Sequence, residues 1–115
     1  MKLKVKISIT DDLDEEFMGI GLVWLLQRIK QFKSIQQAAR DMGLSYVKAL
    51  KIINRLEDNL GQKILIRKRG GQERGGAELT PFAEEFIEEY NRFQKDIKKY
   101  SQMRFSNFQK SSMKK

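Results

Sequence analysis

From residue 3 to residue 9 the chain alternates strictly. Leu3, Val5, Ile7 and Ile9 fall on one face, with Lys2, Lys4 and Lys6 on the other. A period of two predicts a half-buried strand over 3–9, and the acidic run DDLDEE at 11–16 reads as a turn or short connection after it. The period then lengthens. In GLVWLLQRIKQF, Leu22, Leu25, Leu26 and Ile29 stand at helical spacing and predict a helix across about 20–32. Trp24 lies off that stripe, either packed elsewhere or turned outward at a subunit contact.

Ser34 followed three residues later by Gln37 is a capping box, so a second helix opens in SIQQAARDM. Gly43 can adopt the left-handed conformation that ends it. After Leu44, Ser45 is placed to cap a third helix, YVKALKIINRLEDNL, which Gly61 stops. Two helices joined by a tight glycine turn form a helix-turn-helix unit, and Ala38 and Ala39 are small where such helices must approach. In the third helix Ala49, Ile52, Ile53, Leu56 and Leu60 make one apolar stripe. The opposite side carries Val47, Lys51, Asn54 and Asp58, flanked by Lys48 and Arg55. That side suits either entry into a major groove or a merely solvated basic face; the glycine turn, the paired alanines and the basic loop downstream favour the groove.

The period of two returns in KILIRKR at 63–69, predicting a strand with Ile64 and Ile66 on one face and Lys63, Leu65 and Arg67 on the other. AELT is the returning strand, which makes RKRGGQERGG at 67–76 the tip of a β-hairpin wing spanning 63–80. A phosphate-binding P-loop needs Lys and then Ser or Thr after its second glycine at the start of a helix. Here the glycines lead into Ala77 and Glu78, and a dinucleotide fingerprint lacks its parallel βαβ unit. Thr80 and the lone proline, Pro81, start a last helix over 81–103. Along it Phe86, Tyr90, Phe93, Ile97 and Tyr100 step by heptad intervals, predicting a dimer seam, with 104–115 as a basic, flexible tail.

Charge sharpens this picture. The net charge is +8, and from Arg40 to Arg74 nine cations face four anions, which suggests a polyanionic partner. The 115 residues suffice for one domain, occupying 1–103, with no run apolar enough to span a membrane. MKLKVKISIT lacks the continuous apolar stretch of an export signal, pointing to the cytoplasm. The sequence has neither cysteine nor histidine, which removes disulfides, thiol chemistry and the commonest metal ligand and proton shuttle. The paired acids Glu15–Glu16, Glu84–Glu85 and Glu88–Glu89 are the candidates for catalysis on paper; the last four read as a solvated helix face, and no enzyme, cofactor or metal is expected.

The run from Ser34, SIQQAARDMGLSYVKALKIINRLEDNLGQKILIRKRGG…GGAELT, resembles the N-terminal DNA-binding domain of the molybdate-responsive ModE regulators. More distantly it is similar to LysR-type winged helices. Ser45, Tyr46 and Ala49 in SYxxA, the glycine pairs of the wing, and LT before the last helix carry the likeness, which covers about 3–100. It implies a mainly α fold with a small β-sheet: a winged helix-turn-helix with an N-terminal strand and a long C-terminal dimerisation helix. The expected partners are double-stranded DNA and a second copy of the chain, in a transcription regulator. Glu73 and Arg74 interrupt a wing tip that is almost all glycine in the family. Oxyanion binding is not expected of this chain, because the oxyanion-binding domains of full-length members lie outside its 115 residues.

On this reading Ser45 and Tyr46 open the recognition helix at the groove, and Val47 and Lys51 meet base edges. Lys48 and Arg55 hold flanking backbone, Lys68, Arg69 and Arg74 brace the wing, and Ser34 receives a phosphate at a helix N-terminus. Two other readings use the same charge: a nonspecific architectural DNA binder, and a protein-interaction adaptor on a winged-helix scaffold.

Overall fold

The computed structural model describes residues 1–67 and 76–113. The elements run β1 (Ile9–Thr10), β2 (Glu16–Met18), α1 (Ile20–Phe32), α2 (Ile35–Asp41), α3 (Tyr46–Leu60), β3 (Leu65–Arg67), β4 (Ala77–Leu79) and α4 (Pro81–Ser112).

Local chemistry sets the helix boundaries. The Ser34 hydroxyl accepts the Gln37 N–H at 3.1 Å and the Ser45 hydroxyl accepts the Lys48 N–H at 3.0 Å, capping α2 and α3. Between them Gly43 takes φ 71°, and the Leu44 N–H returns to the Ala39 carbonyl at 2.8 Å. A side chain at position 43 would strain that left-handed turn. Leu25, Leu26 and Ile29 from α1, Ile35, Ala38 and Ala39 from α2, and Ala49, Ile53 and Leu56 from α3 meet in one buried core. The alanines admit close helix approach, as expected from their size.

The wing stem closes that core. β3 and β4 pair antiparallel, Leu65 with Leu79 and Arg67 with Ala77. Ser34 forms an isolated bridge to Gly76, and the Ala77 N–H donates to the Lys33 carbonyl at 3.2 Å, so the return strand is fastened to the corner between α1 and α2. Ile64 and Leu65 are both buried while Ile66 is exposed, which departs from the alternation predicted for 63–69. The strand ladder begins only at Leu65. Just before it, the Glu57 carboxylate accepts the Ile64 N–H at 2.8 Å and lies 3.4 Å from the Leu65 nitrogen. That side chain reaches across from α3 and turns two consecutive residues inward.

The N-terminal strand is shorter than predicted. The burial alternation of residues 3–9 holds, but ladder pairing is confined to Ile9–Thr10 against Glu16–Met18, a strand the sequence did not signal. Ile7, just before β1, instead meets α4, where the Tyr90 hydroxyl donates to the Ile7 carbonyl at 3.2 Å.

α4 begins where expected. Thr80 accepts the Ala83 N–H at 3.1 Å, donates to the Lys63 carbonyl at 2.7 Å, and is followed by Pro81 in the first turn. It ends later. Helix continues through Ser112 in place of an end at 103 and a loose tail, because no glycine or proline follows Pro81 to interrupt it. Thirty-two residues give a rod of roughly 48 Å. The principal extents of 69 × 28 × 24 Å reflect its projection beyond the core, whose last buried α4 residue is Gln94.

Candidate nucleic-acid interface

The outer face of α3 is open. Its stripe of Ala49, Ile53 and Leu56 is buried, which turns Val47, Lys48, Lys51 and Asn54 to solvent; Val47 is 61% exposed, unusual for a β-branched aliphatic side chain. Ser45 is exposed at the helix start, its hydroxyl engaged in the cap. Tyr46 is half-buried and accepts a hydrogen bond from Arg67 Nη2 at 2.9 Å, joining the first turn of α3 to the wing stem. Arg67 keeps further donors for an anion, since a guanidinium has five N–H groups.

Arg55 sits at the edge of the same face, but one nitrogen of its guanidinium is already engaged. Nη2 lies 2.8 Å from Glu15 Oε2 and 3.7 Å from Asp11 Oδ2, both from the acidic hairpin. Among the described residues no ion pair involves Lys48 or Lys51.

Ser34 departs from its predicted role. It is 1% exposed, its hydroxyl is used by the cap and its backbone bridges Gly76, leaving no surface for a phosphate. The wing cations Lys68, Arg69 and Arg74 lie outside the described residues. Sequence reasoning overlooked Arg67, Glu57, Asp11 and Glu15. Arg67 had a local signal, as the first cation of the wing run, whereas the three acids act on positions remote in sequence or across an element boundary.

The predicted α4 seam divides in two. Tyr90 is 4% exposed and belongs to the core of its own chain, so it is not free to meet a second copy; Phe86 is half-buried. Phe93, Ile97 and Tyr100 are exposed, as are Phe82, Met103 and Phe108. Tyr90 belongs to the core cluster and its hydroxyl donates to the Ile7 carbonyl, a contact that heptad spacing alone does not reveal.

A helix pair joined by a glycine turn, with a two-stranded hairpin against its second helix, defines a winged helix-turn-helix protein. Residues 22–84 match the bacterial regulatory helix-turn-helix protein, lysR family, and the chain belongs to that family. Among curated proteins it is 35% identical over 94 residues to the molybdenum-pterin-binding protein MopB of Rhodobacter capsulatus, covering 82% of this chain and 33% of MopB. The DNA-binding transcriptional dual regulator ModE of Escherichia coli is 40% identical over 91 residues, 77% of this chain and 34% of ModE. The chain thus spans about a third of the length of these relatives. Among solved structures, the CbnR DNA-binding domain in complex with DNA superposes with a TM-score of 0.58 at 19% identity, covering 78% of this chain and 98% of that one. The BenM DNA-binding domain bound to benA site 1 DNA gives 0.54 at 18%, covering 77% and 94%. At such identities the likeness is one of fold.

Proposed function

We propose that the chain is a transcription regulator that binds specific sequences of double-stranded DNA as a homodimer. The observation that carries this reading is the outer face of α3, where Val47, Lys48, Lys51 and Asn54 project from a helix whose opposite stripe is locked in the core. A helix so presented fits the major groove, with Val47 and Lys51 at base edges and Lys48 at a flanking phosphate. Ser45 and Tyr46 stand at the groove entrance, and Arg67, held by Tyr46, grips backbone beside Lys68, Arg69 and Arg74 of the wing. ModE, over the matched third of its length, supports the same reading by its name as a DNA-binding regulator.

The dimer reading rests on α4. Phe93, Ile97 and Tyr100 continue as an exposed apolar stripe past the end of the core, a surface a monomer seldom leaves open. Charge along the helix is largely segregated: Glu84, Glu85, Glu88 and Glu89 stand in its first turns, and Arg92, Lys95, Lys98, Lys99, Arg104 and Lys110 further on, with Asp96 the one acid among them. An antiparallel pair sets the acidic half of one helix against the basic half of the other, whereas a parallel pair sets like against like.

Selection of bound duplexes from a random pool, followed by footprinting against competitor DNA, tests the proposal. The expected result is an enriched site of two half-sites about 34 Å apart, or a multiple of that spacing. Tight binding without enrichment would mean an architectural DNA binder, and no salt-sensitive duplex binding would mean a protein-interaction adaptor.

A further inference from the structure

The acidic hairpin between β1 and β2 is built to face the recognition helix. Asp11 organises its turn: Oδ1 accepts the N–H of Leu13 at 2.8 Å and of Glu15 at 3.0 Å, and the Asp11 N–H donates to the Glu15 carbonyl at 2.9 Å. Asp14 sits at φ 65°, a left-handed conformation that aspartate tolerates better than most residues. The folded turn aims two carboxylates at one cation, with Asp11 Oδ2 3.7 Å and Glu15 Oε2 2.8 Å from Arg55 Nη2.

Arg55 follows Lys51 by four residues and Lys48 by seven, so the three cations form one row along the side of α3. Of this row, Arg55 alone is engaged by carboxylates among the described residues. Two acids beside one guanidinium turn a local charge of plus one into minus one. A phosphate approaching Arg55 must either displace these carboxylates from Nη2 or take the remaining guanidinium donors while lying against two negative charges.

We infer that Asp11 and Glu15 withhold Arg55 from the DNA backbone, so that the hairpin limits how strongly the protein binds duplexes of any sequence. The inference rests on the DNA-binding reading above. Sequence-independent affinity is essentially electrostatic, and it is the component this pairing lowers; base contacts from Val47 and Lys51 are left alone. Exposed ion pairs are individually weak, so the hairpin trims affinity without abolishing it.

The test uses the full chain with Asp11→Asn and Glu15→Gln together, which keep the shape and the turn's oxygen acceptor but remove both charges. Binding to a random-sequence duplex is measured across a salt series. Affinity should tighten roughly 3- to 10-fold at about 50 mM salt, and the salt dependence should steepen by about 0.9, the equivalent of one added phosphate contact. Arg55→Gln should erase that gain in the neutralised background and change little in the wild-type chain. No tightening, or an Arg55→Gln loss equally large in both backgrounds, overturns the inference. Should the double variant fail to fold by thermal melting, Glu15→Gln alone leaves the Asp11 turn intact and carries the same test with the same sign. A wild-type chain without salt-sensitive binding to any duplex would instead overturn the DNA-binding reading itself.

Discussion

Arg67 on β3 donates from Nη2 to the Tyr46 hydroxyl at 2.9 Å, so the stem of the wing is tied to the opening turn of α3. Both residues lie on the proposed DNA side, and the bond fixes where the guanidinium stands relative to the groove. Tyr46→Phe removes the acceptor and keeps the ring. Stability should fall by about 0.5–1.5 kcal/mol in chemical denaturation. Duplex affinity should weaken roughly 2- to 10-fold, measured by fluorescence anisotropy. Unaltered affinity across a salt series would mean that Arg67 does not need Tyr46 to be aimed.

Lys51 stands at the centre of the exposed face and is assigned to a base edge. Lys51→Ala should cost on the order of 1–3 kcal/mol at the preferred site while changing random-duplex affinity much less. Equal losses on both would move Lys51 from base reading to phosphate contact.

On α4, Phe93→Glu with Ile97→Glu places charge on the exposed stripe while sparing the buried Tyr90. The expected outcome is a folded monomer of 13.5 kDa by light scattering, with helical circular dichroism retained. Orientation is tested separately: Glu88→Lys with Glu89→Lys should weaken association, and adding Lys98→Glu with Lys99→Glu should restore it. An unchanged mass in the first variant would defeat the seam.

An alkaline limit to stability is expected from Tyr90. Burial raises its pKa above the ordinary 10.0, opposed by the neighbouring Gln94 amide and reinforced by the charge of Glu16. A raised folded pKa means that the neutral phenol is favoured in the native state. Its contribution is therefore complete below pH 10 and declines as pH rises through the folded value. Tyr90→Phe should flatten the loss of stability above pH 10 in urea melts, while lowering stability at neutral pH by removing the bond to the Ile7 carbonyl. An alkaline limb of unchanged steepness would assign it to other groups.

The parts of this fold that were legible in the sequence are those decided within a few residues. Ser34 with Gln37, Ser45, Gly61 and Thr80 with Pro81 each mark a boundary through a cap or a turn only a few atoms away, and the helices begin and end there. The outward face of α3 was legible for the same reason, since periodicity defines both sides of a helix. Pairings across distance were not. The alternation of residues 3–9 correctly separates half-buried from exposed positions, yet it cannot say that a ladder forms only at Ile9–Thr10. Arg55 and Glu15 are forty residues apart, so nothing local distinguishes that arginine from Lys48 or Lys51. Ser34 shows the opposite error: its cap was read correctly, but the bridge to Gly76 that buries it depends on where the return strand runs.

That bridge has a mechanical meaning. Because Ala77 hangs from Lys33 and Gly76 from Ser34, the root of the flap is riveted to the elbow from which α2 departs. A sideways load on β3 and β4 is therefore passed straight to the helix pair. On the proposed reading, gripping the flank of a duplex and seating α3 in its groove would become one movement, in which neither tilts without carrying the other.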